Sequence, residues 1–217
     1  MVLSKGTSIT QTTTNIWYND SLGRIAETGG WGFLLPTVDL VNEFEVGDPR
    51  FSTIVGQEGD SVMVGQKWYT LSLTNSITGY CCRKYETGYN EFWGVKQEWS
   101  NSPLNFRLIR YADVVLIAAE AALESGDNAK ALEYINQVRT RARNCGNTGV
   151  PADLTGTVTL DDLMHERRIE LAMEGDRFFD LVRWKMAGQK LNGSMLSIDI
   201  PVQYESPKYD FFPIPVS

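Results

Sequence analysis

From Asn105 onward the apolar positions keep a helical period. Phe106, Ile109, Ala112, Leu116, Ala119 and Leu123 recur three or four residues apart, with Glu120 and Glu124 off that stripe, which predicts an amphipathic helix. Ser125-Gly126 ends it and Asp127 is the expected N-cap of a second helix, whose apolar face is Ala131, Tyr134, Ile135 and Val138. Arg139, Arg141 and Arg143 load the C-terminal end of that helix, where the macrodipole favours cations. The pair makes an αα-hairpin, and Arg110 to Arg143 spans 34 residues, the period of a tetratricopeptide repeat, with no second copy in the chain. A lone repeat cannot bury its own apolar face, so the hairpin is expected to pack on something else.

Thr159, with Asp162 three residues on, approximates a capping box and opens a third helix that runs through Leu163 and Met164 to Met173, where Gly175 stops it. Asp176 starts a fourth. Phe178, Phe179, Leu181, Val182 and Trp184 make this helix apolar enough to be expected largely buried. Beyond Gly188 the tail is punctuated by proline, closing on Phe211-Phe212-Pro213-Ile214-Pro215, and is expected to lie extended against the core.

The first hundred residues have another texture. They hold 12 of the 19 glycines and five of the six tryptophans, so they read as loops carrying short strands or helices rather than as an independent core. Gly29-Gly30-Trp31-Gly32 and Gly47-Asp48-Pro49-Arg50 mark turns, and between them Thr37 caps a short helical pattern of Leu40, Val41 and Phe44. The expected fold class is therefore mainly α, a tetratricopeptide-like helix hairpin and further helices packed with a loop-rich, irregular region containing short strands. Residues 1–217 are expected to form one domain, with 1–104 loop-rich and the candidate ligand-binding region, and 105–217 a helical scaffold with an extended C-terminal tail.

Charge and composition narrow the function. Twenty Lys and Arg against 27 Asp and Glu give a net charge of −7, and no Lys/Arg-rich run is present, so a partner held by phosphate neutralisation, such as a nucleic acid, is not expected. No window reaches the ~18 consecutive apolar residues of a membrane span, and residues 1–14 lack the basic and apolar regions of a signal peptide. Cys81, Cys82 and Cys145 are odd in number, form no C-x-x-C pair and have one histidine for company, so no zinc site and no cofactor are expected. Three free thiols is the plainer expectation, although one of the adjacent pair could bond Cys145.

The histidine, His165, is followed four residues later by Ile169 where a zincin needs a second histidine, and it lies within a dense run of charges with no nucleophile elbow beside it. A structural role is expected. Glu166, Arg167, Glu170 and Asp180 are read as helix-surface or partly buried ion pairs at three- and four-residue spacing. Two carboxylates suffice for a glycosidase, but among 27 acidic residues such a pair arises by chance, and a solvated surface is the expected setting. No phosphate-cradling loop is present, because Gly29-Gly30-Trp31-Gly32 lacks both the G-x-G-x-x-G spacing and a Lys-Ser/Thr ending. Aromatic density stands out instead: Trp68, Tyr69, Tyr80, Tyr85, Tyr89, Phe92, Trp93 and Trp99 fall within one stretch rich in glycine. Aromatic faces on loops suit the C–H faces of sugar rings, with polar neighbours meeting the hydroxyls, and Trp17-Tyr18-Asn19-Asp20 has the same composition. The competing reading is a satellite core under long loops.

Longer motifs carry a family resemblance. Arg110-Tyr111-Ala112-Asp113, Ala119-Glu120-Ala121 and Asn136 with Val138-Arg139-Thr140-Arg141-Ala142 resemble the RYAD, AEA and N-x-VR-x-RA signature of SusD/RagB outer-membrane nutrient-binding lipoproteins. His165-Glu166-Arg167-Arg168-Ile169-Glu170-Leu171-Ala172 and Glu174-Gly175-Asp176-Arg177-Phe178-Phe179-Asp180-Leu181-Val182-Arg183-Trp184 are similar to the family's HERR and FDLVRW run. Upstream, Trp31-Gly32, Pro36-Thr37, Leu40-Val41, Phe44 and Gly47-Asp48-Pro49-Arg50 are similar too, as is the closing Pro213-Ile214-Pro215.

The resemblance implies that the chain corresponds to the C-terminal part of a longer protein, whose lipid anchor and further helix pairs lie outside it. Those helix pairs would be the stacking partners of the hairpin. It further implies a non-enzymatic role: binding an oligosaccharide or polysaccharide at the cell surface of a Bacteroidetes-type bacterium and delivering it to a SusC-like TonB-dependent transporter in the outer membrane. A protein-interaction scaffold without sugar affinity, or a glycosidase using paired carboxylates, are the alternatives. The shared motifs are scaffold in that family, so the candidate glycan-stacking residues are the aromatics Trp17, Tyr18, Trp68, Tyr69 and Trp93, chosen by composition.

Overall fold

The structure is a computed structural model, and it describes residues 16–19, 25–28, 35–64, 67–73, 76–84, 108–146, 148–193, 195–197 and 200–211. Chain contacts divide it into two compact units, Met1–Met173 and Glu174–Ser217.

The first unit is built on a helix hairpin, α3 (Tyr111–Glu124) and α4 (Asn128–Gly146), closed by α5 (Leu160–Glu170). Its core joins Val115, Leu116, Ala119 and Ala122 of α3 to Ala131, Ile135 and Val138 of α4 and to Val158 and Leu163. Leu116, Ala119, Ala131, Ile135 and Val138 are on the predicted stripes, with Leu123 and Tyr134 packed against them, whereas Val115 and Ala122 replace the expected Ala112. The expected caps are present: Asp127 Oδ1 accepts from Lys130 N at 3.0 Å, and Thr159 and Asp162 form a reciprocal capping box. Two asparagines of α4 hold the segment that returns to α5. Asn136 accepts from Leu154 N at 2.8 Å and donates to its carbonyl at 2.9 Å, and Asn128 pairs with Val158 in the same way at 3.1 and 2.8 Å. Each side-chain amide thereby supplies the two hydrogen bonds that an irregular backbone lacks.

Ahead of the hairpin lie α1 (Val38–Val41), capped by Thr37, and α2 (Pro49–Ile54), capped by Asp48 with proline at its start. Ile54, Val55 and Ala172 form a second small core, flanked by Leu40, Val41, Phe44 and Phe51, with the Phe44 and Phe51 rings edge to face at 5.5 Å. The strands β1 (Ile16–Asn19), β2 (Ile25–Thr28), β4 (Ser61–Val64) and β5 (Lys67–Ser72) make one antiparallel sheet in the order β2-β1-β5-β4. A separate two-stranded ladder pairs β3 (Val55–Gly56) with β6 (Cys81–Cys82). Cys81 and Cys82 are buried, Cys145 is exposed, and all three thiols are free.

Several boundaries differ from expectation. α3 begins at Tyr111, not near Asn105: Arg110 is extended (φ −132°, ψ 161°) with its guanidinium on Glu170, Ile109 is exposed, and Phe106 lies outside the described residues. α5 stops at Glu170 rather than Met173, because Met173 adopts φ 64° and Lys84 Nζ takes the carbonyls of Glu170 and Ala172 at 3.0 and 2.8 Å.

The second unit holds α6 (Arg177–Arg183), α7 (Ala187–Leu191) and the hairpin of β7 (Met195–Ser197) with β8 (Ile200–Pro201). α6 is less buried than its composition predicts. A seven-residue helix covers one face, so Asp180 and Leu181 are inside while Phe179 remains 58% exposed, its ring edge to face with Phe178. Helix also continues past Gly188 to Leu191, and Asn192 then clasps the Tyr204 backbone through Oδ1 and Nδ2. The Tyr204 hydroxyl is pushed up to about 12 by its hydrogen bond to Asp210. The tail is exposed at Phe211, and residues 212–217 lie outside the described residues.

Candidate functional site

Side chains along a strand alternate between faces, so register decides which aromatics can share a surface. On β5, Leu71 is fully buried while Trp68 is 63% exposed and Thr70 is exposed, which separates a covered face from an open one. β1 pairs antiparallel with β5, Trp17 opposite Ser72, Tyr18 opposite Leu71 and Asn19 opposite Thr70. Positions 17 and 19 therefore share the open face with Trp68, Thr70 and Ser72, whereas positions 18 and 69 share the face of Leu71. Along β5, Trp68 lies four residues from the partner of Trp17, roughly 13 Å at about 3.3 Å per residue. The polar positions Asn19 and Thr70 fall between the two, and Ser72 lies opposite position 17. Of the five predicted aromatics, Trp68 is exposed on this face, and the register puts position 17 on the same side. Trp93 lies outside the described residues, as do Tyr85, Tyr89, Phe92 and Trp99. Tyr80 is half-buried against the small core of Ile54 and Val55.

A second constellation was not legible in the sequence. The Glu166 carboxylate is fully buried and joins Arg50 at 2.5 Å to Arg139 at 2.9 Å. One turn on, buried Glu170 receives Arg110 at 2.6 Å, Arg141 at 2.7 Å and Arg50 at 3.1 Å. Arg50 also chelates Asp48 through Nε and Nη2, and Arg139 reaches Glu45 at 2.6 Å. The expectation of helix-surface or partly buried pairs at three- and four-residue spacing is thereby corrected for Glu166, Arg167 and Glu170. Their partners are 27 to 120 residues away, because the helix face that carries these carboxylates turns inward onto α2 and α4. Arg167 is buried too and meets Asp113 of α3 at 2.9 Å, while Asp180 keeps a local pair with Arg183. Burial alone would raise the Glu170 carboxyl, but the Arg110 hydrogen bond and the charges of Arg141, Arg110 and Arg50 outweigh it and hold it below the ordinary carboxylate value. Burial likewise opposes the charge on Arg50, and Asp48 and Glu166 more than restore it. His165 lies against Glu43 at 2.9 Å, with Arg168 bonded to the same carboxylate and to Asp39, a bridge between α5 and the α1 region. Among the described residues no group of three or more His, Cys, Asp or Glu side chains could hold a metal ion.

The first unit is thus a helical hairpin closed by a charge-bridged third helix, together with a four-stranded antiparallel sheet. The chain belongs to the SusD family, whose model matches residues 5–217. A SusD-like protein of Bacteroides ovatus is 37% identical over 167 residues, covering 72% of this chain and 29% of that protein. The solved surface glycan-binding protein A from Bacteroides uniformis is 29% identical with a TM-score of 0.60, over 83% of this chain and 36% of that one. Surface glycan-binding protein A from Bacteroides thetaiotaomicron, solved in complex with laminarihexaose, shares the fold with a TM-score of 0.61 at 23% identity, over 93% of this chain and 42% of that one. The chain thus spans about a third of the length of curated relatives that it matches.

Proposed function

We propose that this chain is part of a cell-surface protein that binds an oligosaccharide or polysaccharide without cleaving it and delivers it to a SusC-like TonB-dependent transporter in the outer membrane. A lipid anchor outside this chain would hold the protein there. Membership of the SusD family, together with relatives named as surface glycan-binding proteins, carries the reading. The open sheet face supports it locally, since an exposed tryptophan beside polar positions is the usual platform for a sugar ring. Two observations favour a non-catalytic role. Glu166 and Glu170 are committed to ion pairs with arginines, and His165 is engaged with Glu43.

Trp68→Ala is the test. In affinity electrophoresis through gels cast with a panel of polysaccharides, retardation by the cognate glycan should fall at least tenfold in apparent affinity, while the thermal midpoint stays within a few degrees. Unchanged retardation removes Trp68 from the site, and new reducing ends would establish a glycosidase instead.

A protein-interaction role is favoured by a separate observation. The outer face of α3 exposes Tyr111, Val114 and Ile117 at 72%, 48% and 53%, with Leu108 and Ile109 beside its start. That stripe suits the further helix pairs of the longer protein as stacking partners. Co-purification with the transporter but no sugar affinity would support the scaffold reading alone.

A further inference from the structure

One cavity runs against the charge of the molecule. The chain carries −7 overall, yet a hollow of about 470 Å³ in the first unit is lined by Arg50, Lys84, Arg110 and Arg141, with Glu170 as the carboxylate among its lining residues. Arg141 differs from the others. It is 54% exposed on its side chain and reaches Glu170 through Nη2 alone, so its Nε and Nη1 keep donor hydrogens without a hydrogen-bond partner among the described residues. Ser52 and Thr53 add hydroxyls to the same wall, and Cys145 lines it as well.

We infer that this cavity binds the carboxylate of an acidic sugar, a uronic acid in its simplest form. The volume falls within the ~300–1,000 Å³ of small-ligand sites. A guanidinium presents a planar fork that matches a carboxylate, and partial burial strengthens the attraction over its value in water. Asp48 and Glu166 match Arg50, so the positive charge in excess of Glu170 comes from Arg141, from Arg110 on the Glu170 carboxylate and from Lys84 on the Glu170 and Ala172 carbonyls, and the hydroxyls offer partners to a sugar ring. The site shares no lining residue with the sheet face. The sugar carrier alone rests on the glycan reading, and the charge argument stands without it.

Cys145 is a built-in reporter, because Cys81 and Cys82 are buried and alkylation of the folded chain falls on the exposed thiol. A local potential of about one kT concentrates anions about threefold. The ratio of iodoacetate to iodoacetamide rates at Cys145 is therefore expected at least about threefold above that of glutathione. It should drop toward the glutathione ratio in Arg141→Gln and persist in Arg141→Lys, both checked for an intact thermal transition. D-Glucuronate should protect Cys145 from iodoacetamide saturably, acetate more weakly and D-glucose not at all. A ratio no higher than that of glutathione, or equal protection by glucuronate and glucose, overturns the proposal. Equal protection by acetate and glucuronate overturns the sugar and leaves a bare carboxylate hole. Retardation of the Trp68 site in polysaccharide gels, repeated after alkylation of Cys145, keeps failure here distinct from failure of the glycan reading.

Discussion

Glu166 concentrates the energetics of the first unit into one side chain. A fully buried carboxylate is tolerable only while its charge is matched, and here Arg50 and Arg139 match it from two other helices. Glu166→Gln keeps the shape and removes the charge, leaving both arginines under-compensated, so urea unfolding should show a loss of about 3–5 kcal/mol with little change in slope. A loss below about 1 kcal/mol would mean that water or other groups replace the carboxylate. Glu170 makes the same point as a function of pH. Its folded value lies below its unfolded value, so as acid is added the unfolded chain takes up the proton first. Its contribution is complete above the ordinary carboxylate range near pH 4.3 and is lost as the pH falls from there through the lowered folded value. Thermal midpoints of the wild type should therefore decline below about pH 4.5, and Glu170→Gln, less stable at neutral pH, should flatten that decline. These carboxylates were misread from sequence for a physical reason. The HERR run offers opposite charges at three- and four-residue spacing, which is a valid local pattern, but burial of that helix face redirects the glutamates to arginines that no local pattern can name.

At the scale of elements, periodicity and capping chemistry carried most of the architecture. The hairpin, its core stripe and the caps at Thr37, Asp127 and Thr159 all follow from side chains within four residues of one another. Thr159→Ala should cost about 1 kcal/mol by leaving amide donors at the start of α5 unsatisfied, read as a shift in the denaturant midpoint. Element ends were less legible, because Lys84 and Arg110 fix the end of α5 from distant positions. The sheet was least legible. Its strands are short, and the pairing of β1 with β5 joins segments some fifty residues apart that share no turn. One close approach also escapes any pattern: a Cβ at Gly146 would sit 2.2 Å from Pro49 Cβ, so α4 ends against α2 with no room for a side chain. Gly146→Ala should lower the thermal midpoint by several degrees even though alanine is the better helix former, and a neutral effect would show that the α2 turn can withdraw.

For the whole molecule, the exposed stripe of Tyr111, Val114 and Ile117 is the apolar surface expected to drive self-association of the isolated chain. Replacing Val114 and Ile117 with Glu and Lys should reduce self-association in sedimentation velocity without loss of helicity, because both side chains point away from the core that Leu116 and Ala119 fill. The long-range ion pairs carry a different consequence, one that concerns synthesis. Arg50 leaves the ribosome 116 residues before Glu166. During that interval Arg50 has Asp48 beside it but lacks Glu166 and Glu170, two of the three carboxylates that surround it in the folded interior, so docking of α2 on α4 is weakened. The unit is therefore expected to close only once α5 has emerged, and a nascent chain arrested between Gly146 and Glu170 should be cut by proteases faster than the full chain although its hairpin has been made.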